Sequence, residues 1–404
     1  MSTPGAGRPA HDRPELDGRT LDAPELEWHR LVAPADAFDE PALSLIARYV
    51  ATANRVTQAF WGDDGHDTTV DELLASLRHV EDDITERFLV VAEGRDVGRA
   101  IASIARDEGA SVAYLSAWVV PEARGRGIGR AIAERIEQVA IGLGATTLQA
   151  WVDHRAPVEG GEAIPAATGH GALAADPAAR LAVSMGYALE QVDRISELDV
   201  ETARRTLEAH RADALAHAGD AYELRSWAGA TPPELLDAMA VLHARMVTDA
   251  PSADLEVDDE RWDAARLGRV EAEWAEAGLT ALQAVAIHRA SGEAVAFTVL
   301  LLPAPGRPAF QEDTLVHADH RGHRLGMLVK TENLLQLGRL HPDRTRIVTW
   351  NAEENRPMLR VNEALGFVPI GAEGGWQRRT PPPVEGQPRA ASRDRTASAD
   401  SMEA

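Results

Sequence analysis

Two seven-residue phrases in this chain have a composition suited to holding an anion. "ARGRGIG" fills residues 123–129 and "HRGHRLG" residues 320–326, each ending a hydrophobic stretch and opening one with helical spacing. Successive glycines at such a junction present backbone N–H groups, and the helix dipole adds positive potential there. Gly125, Gly127 and Gly129 allow close approach in the first copy, with Arg124 and Arg126 adding charge. The second copy keeps Gly322 and Gly326 but sets Arg324 where the first has Gly127. Phosphate binding is the chemistry this turn supports. Taken alone, the same turn also reads as a tight connection between strand and helix.

The elements that must position these turns occur twice. "VVPEARGRGIGRAIAERI" (119–136) aligns with "VHADHRGHRLGMLVKTEN" (316–333), and "AARLAVSMGY" (178–187) with "PMLRVNEALGF" (357–367). A repeat of this length is a duplicated domain. Before each turn lie three segments rich in β-branched and aromatic residues: 87–94, 98–107 and 111–120, then 281–289, 294–302 and 310–317. After each turn comes a helical pattern, such as Ile132, Ile136, Val139 and Leu143, and then a strand (146–152 and 346–350). The expected fold class is α/β, two tandem units that are each a mixed, mostly antiparallel sheet flanked by helices. The expected boundaries are a disordered 1–24, a first domain 25–200, a helical connector 201–221, a second domain 222–379 and a disordered tail 380–404. Residues 154–177, rich in Gly, Ala and Pro without periodicity, read as a flexible loop.

Composition narrows the function. The 404 residues fit two domains. The absence of cysteine excludes disulfides, cysteine-ligated zinc and a cysteine nucleophile. A net charge of −23 argues against nucleic acid as a partner. It favours cationic small molecules, although an acidic surface also serves solubility alone. The longest apolar run, residues 294–302, is too short for a membrane helix, and the first residues contain no signal-like apolar core. A cytoplasmic protein with no membrane partner is expected.

Arg-x-x-Gly-x-Gly after a strand and a Val-x-Pro-Glu segment resembles the pyrophosphate loop of the GCN5-related N-acetyltransferases (GNAT). The later Gly-aromatic pairs, Gly186–Tyr187 and Gly366–Phe367, are a further mark of that family. The second half resembles actinobacterial members, and the tandem arrangement is similar to that of mycothiol synthase. The resemblance implies acetyl-CoA as co-substrate and no metal. It implies that backbone groups of Arg124, Gly125, Arg126, Gly127, Ile128 and Gly129 cradle pyrophosphate. Arg321, Gly322, His323, Arg324, Leu325 and Gly326 would do so in the second half. Splayed strand ends near Val119 and Val316 would hold the pantetheine arm, and Asn355 would contact it.

The family often takes its base from the strand before the loop. The position eight residues before the loop arginine is Asp313 in the second half and Ser116 in the first. Glu312 is expected on the opposite face, because strand side chains alternate. The family's tyrosine acid is replaced by Ala182 and Asn362, and Asn362 enters the catalytic set by position only. Asp249, Asp254 and Glu256 fall where the family places its acceptor loop, and they read equally as a solvated acidic loop. His317, His320 and His323 read as loop histidines rather than metal ligands. The expected activity is transfer of acetyl to a primary amine of a small, cationic molecule by a monomer or homodimer. The alternatives are a non-catalytic acyl-CoA-binding module and a longer-acyl or aminoacyl transferase.

Overall fold

The computed structural model describes residues 24–155, 160–249 and 251–380. The expected disordered ends lie outside the described residues, apart from Pro24 and Thr380. The first half runs β1 (Glu27–Arg30), α1 (Glu40–Trp61), α2 (Val70–Arg78), β2 (Asp83–Ala92), β3 (Arg95–Ala105), β4 (Val112–Val119), α3 (Ile128–Leu143) and β5 (Thr147–His154). It continues with β6 (Ala163–Pro165), β7 (Ala172–Ala174), α4 (Pro177–Ser184) and β8 (Ala188–Asp199). Helix α5 (Val200–Ala218) occupies the connector. The second half runs β9 (Tyr222–Ala228), α6 (Leu236–Asp249), α7 (Ala264–Glu276), β10 (Thr280–His288), β11 (Ala294–Leu302), β12 (Ala309–Val316), α8 (Leu325–Leu340), β13 (Arg346–Ala352), α9 (Arg356–Leu365) and β14 (Val368–Arg379).

Each half-sheet is mixed and flanked by helices, and the two join into one 12-stranded sheet ordered β1-β2-β3-β4-β5-β14-β8-β13-β12-β11-β10-β9. The last strands are exchanged. Strand β14 of the second half pairs with β5 of the first, from Ala372↔His154 to Arg379↔Thr147. Strand β8 of the first half pairs with β13 of the second, and β8 and β14 pair with each other. Alternation sends each strand's side chains to two layers. In β2, Leu89 and Val91 face α1 and α2, while Val90 and Ala92 face α3. In β11, Phe297, Val299 and Leu301 face α6 and α7, while Ala296, Leu300 and Leu302 face α5 and α8.

The segment read as a flexible loop is built into the core instead. Strands β6 and β7 form a hairpin, and its Leu173 is fully buried with Leu189, Val192, Ala372 and Trp376. Lack of periodicity misled because the hairpin strands are only three residues long. Residues 156–159 of that segment lie outside the described residues. Gly374 makes the packing possible: a Cβ there would lie 2.5 Å from Leu173 Cδ1 and 2.7 Å from Trp376 Nε1.

The exchange also lines up carboxylates. Glu373 of β14 sits directly opposite Asp153 of β5 on one side and Asp193 of β8 on the other. Like charges in such register repel. Burial first, and mutual repulsion second, push Glu373 up to about 8; burial pushes Asp153 and Asp193 up to about 6. Folding therefore favours the protonated forms. The stability this contributes is complete below pH ~4, where unfolded carboxylates also carry protons, and is lost as pH rises toward 8.

Two outcomes follow. Trp376→Ala, which hollows a first-half core from the second half's last strand, should cost about 3–5 kcal/mol and lower a single thermal transition shared by both halves; two separate transitions would contradict the exchange. Glu373→Gln should flatten the fall in melting temperature between pH ~5 and ~8 and raise it most near pH 8.

Candidate active site

The two glycine turns have the same backbone shape. Arg124 and Arg321 are extended (φ −67, ψ 161 and φ −68, ψ 156), and Gly125 and Gly322 are left-handed (φ 76 and 87). Gly127 and Arg324 are left-handed again (φ 77 and 55), immediately before α3 and α8. Arg324 thus adopts the conformation of the glycine it replaces, at a cost of about 1 kcal/mol for a residue with a Cβ. Its guanidinium pairs with Asp213 of α5. Arg126 makes the matching outward pair with Glu93. Buried Ile128 and Leu325 anchor the helix starts. The loop arginines turn back to the strand ends: Arg124 Nε donates to Val119 O at 3.1 Å and Arg321 Nε to Val316 O at 3.3 Å.

The N-termini of α3 and α8 have no side-chain cap. In contrast, Asp39, Thr69, Asp176, Asp199, Asp263 and Asn355 cap α1, α2, α4, α5, α7 and α9. A Cβ added at Gly125 or Gly322 would meet nothing within 4 Å. Uncapped N–H groups facing open space at a glycine turn suit the oxygens of a phosphate-bearing co-substrate. Gly129 and Gly326 lie against Val119 and Val316, where an added Cβ would stand 3.6 Å from the valine Cγ2.

The strand before each turn splays from its parallel neighbour. Strand β4 pairs with β5 only from Val112↔Thr147 to Leu115↔Ala150. Strand β12 pairs with β13 only from Ala309↔Ile347 to Gln311↔Thr349. Among the described residues, the inner edges beyond Leu115 and Gln311 have no strand partner, up to Val119 and Val316.

The halves differ at the mouth of the splay. The β11–β12 register slips between Thr298↔Thr314 and Leu300↔Gln311, so Val299 faces two residues, Glu312 and Asp313. In the first half, Ile101 faces Ser116 alone, with no slip. This bulge overturns the expected alternation. Gln311 Nε2 bonds Thr298 Oγ1 at 3.0 Å and Thr298 Oγ1 meets Thr314 Oγ1 at 2.7 Å, so Gln311 and Thr314 share the α8 face. Glu312 and Asp313 both turn to the α6–α7 face. Asp313 pairs with His243 of α6, Nδ1 to Oδ2 3.3 Å, and His243 is stacked on Trp262 with ring centroids 4.9 Å apart. Glu312 opens into a cavity of about 330 Å³ with Phe310, Leu301 and Trp274. It is reached by solvent, yet protein crowds it; that desolvation first, and the Asp313 charge second, push its carboxyl up to about 7. Sequence reading set Glu312 on the opposite face because nothing in "FQEDTLV" announces a bulge.

The remaining expected residues divide. Asn355 caps α9, its side chain accepting from Met358 N at 3.3 Å; this leaves its amide N–H₂ to donate. Asp176 holds the matching cap in the first half and bonds His154 at 2.8 Å. Asn362 is buried and donates to Asn351 Oδ1 at 2.5 Å, with no titratable group. Asp249 lies 3.6 Å from Arg321, beside the second turn. Asp254 and Glu256 lie on a segment that fastens the second half to the first. Gln377 Nε2 donates to Asp254 O, and Glu256 meets Thr147, Gln149, Gln377 and Arg379. Those two are docking contacts of the exchanged sheet. His317, His320 and His323 gather near the second turn with His288, and His320 Nδ1 is 3.0 Å from the Tyr222 hydroxyl. In the first half, Arg99 lies 3.6 Å over the Trp118 ring and bonds Tyr49, filling the layer where the second half has His243 and Phe297.

A splayed parallel pair, an uncapped helix start and a glycine turn between them define the GNAT fold. More particularly, the family profile "Acetyltransferase (GNAT) family" matches residues 52–157, and the chain has the architecture of a tandem GNAT protein. A tandem GNAT protein from the clavulanic acid biosynthesis pathway superposes with a TM-score of 0.66 at 27% identity, over 89% of this chain and 100% of that one. A GCN5-related N-acetyltransferase from Sphaerobacter thermophilus shares the fold at TM-score 0.53 and 15% identity, over 87% and 95% of the two chains. So does a GCN5-related glucosamine N-acetyltransferase region of a fungal multi-domain GH3 β-N-acetylglucosaminidase, at 0.54 and 12%, over 87% of this chain and 38% of that one. Comparison with the curated proteins finds no match.

Arg324→Gly should relieve the left-handed strain, keeping or raising stability by up to about 1 kcal/mol. If backbone N–H groups hold the phosphates, calorimetric titration should find coenzyme A affinity within about threefold of wild type. A loss beyond about tenfold would assign the binding to the guanidinium instead.

Proposed function

We propose that the second half transfers an acetyl group from acetyl-CoA to the primary amine of a small molecule, with Glu312 as the base. The single observation that carries this reading is the bulge that sets a carboxylate of raised proton affinity at the mouth of the β12–β13 splay. An amine reaches the protein as an ammonium ion and must lose a proton before it can attack. A group with a pKa of about 7 accepts that proton at neutral pH and is poised for general-base work. When bound, acetyl-CoA supplies the activated thioester. The chain's own share is to hold phosphate oxygens on the first turn of α8, the arm along the free edge of β12, and the proton on Glu312.

Asp313 is a positioning residue in this scheme. It pairs with His243, and its charge beside Glu312 raises that group's affinity for a proton. The sequence favoured Asp313 as base; the shared face and the cavity favour Glu312. Neither Ala182 nor Asn362 supplies an acid, and a departing thiol with a pKa near ~8.5 needs only water for its proton. The first half retains the turn and the splay but has Ser116 in place of the acidic pair, which supports binding without turnover there.

Thiol release measured against pH tests the assignment. The rate should climb through pH ~7 on the acid side. Glu312→Gln should lower kcat about 100-fold or more. Asp313→Asn should retain turnover and move the acid limb to lower pH. Loss of activity in Asp313→Asn with retention in Glu312→Gln would reverse the two roles.

A further inference from the structure

The cavity beside Glu312 is not built by the second half alone. Thr68 and Glu72, from the first half, form part of its wall. Their segment is fixed at both ends by local signals. Left-handed Gly62 stops α1, and Thr69 and Glu72 form a reciprocal capping box that starts α2. Between them the chain crosses to the second half and is fastened there. Asp63 pairs with Arg346 at 3.0 Å. Arg307 Nε donates to Gly65 O at 3.3 Å and its Nη1 to Glu72 Oε1 at 2.6 Å. His66 stacks on Trp61 with centroids 4.0 Å apart and lies 5.8 Å from Phe310. Residues 251–260 make the reciprocal crossing, where Asp258 accepts from Ser111 and Val112.

We infer that the first half is a specificity element for chemistry in the second, and that the shared cavity selects a primary monoamine on a compact aromatic or branched aliphatic body. This inference rests on the acetyltransferase reading above. Three features of the wall carry it. The apolar part, Trp274, Leu279, Leu301 and Phe310, offers aromatic and aliphatic surface beside the carboxylate, suited to an ammonium on an apolar body. The other acids present no free charge: Glu72 is paired with Arg307, and burial first pushes Glu273 toward its protonated form, against the opposing pull of His79, Arg87 and Ser76. Among the described residues, no cation or donor is paired with the Glu312 carboxylate, so one amine is recognised rather than several. The volume of about 330 Å³ falls in the range of small-molecule sites, roughly 300–1,000 Å³.

The test compares thiol release from acetyl-CoA with phenethylamine, isopentylamine and spermidine as acceptors, in wild type, Thr68→Val and Thr68→Trp. Thr68 is exposed, and its bonds to Asn54 use backbone atoms that both variants keep. The expected result is preference for the two monoamines in wild type. Thr68→Trp should raise their KM at least about tenfold, with coenzyme A affinity unchanged by calorimetry, while Thr68→Val stays near wild type. Turnover with an unaltered amine KM in Thr68→Trp, or preference for spermidine, overturns the inference alone. A wild-type protein that binds coenzyme A yet releases no thiol with any amine overturns the acetyltransferase reading and the inference with it.

Discussion

The hydrogen bonds that seat β14 between β5 and β8 are the constraint on which the molecule depends. Without them β5 would end in an open edge, and the fully buried Trp376 would lose its place beside Leu173 and Leu189. The same pairing draws β8 onto β13, so the first half's last strand completes the second half's sheet. Each half therefore lacks one strand of its own and borrows it. The cost is visible at Asp153, Glu373 and Asp193, whose alignment the register forces.

Exchange also places each half's segment after its first helix against the other half's sheet. Residues 62–69 reach Arg307 and Arg346, and residues 251–260 reach Ser111, Thr147 and Gln149. Duplicated domains joined this way are free to diverge. The second half has the bulge, the acidic pair and most of the cavity wall. The first has an unbroken β3–β4 ladder, Ser116 and an arginine stacked on tryptophan in the layer above. The half with three glycines in its turn is the one without an acid on its strand. Turn purity and chemical equipment have separated.

Much of this was legible in the sequence because it is local. The glycine turns, the strands before them and the helices after them follow from residue pattern and chain order. The left-handed place of Arg324 was readable from its alignment with Gly127. What escaped depends on partners distant in sequence. Nothing within "ALEQVDRISELD" or "GGWQRR" says which half a strand will pair with, since β8 and β14 fit either neighbour by local pattern. The bulge at Glu312–Asp313 exists only in relation to Val299. Asp254 and Glu256 resembled an acceptor loop by position, and only the exchanged sheet shows that they dock on β5 and β14.

The exchange is the central claim, and the absence of native cysteine permits a direct measurement. Gln149 and Gln377 face each other in the β5–β14 pairing, whereas Glu197 lies opposite Val348 and Val368. Oxidised double-cysteine chains can be digested and the linked peptides identified by mass. The account predicts a 149–377 disulfide in the Gln149→Cys, Gln377→Cys chain and none in the Gln149→Cys, Glu197→Cys chain. A 149–197 link with no 149–377 link would show each half keeping its own last strand and would contradict the account.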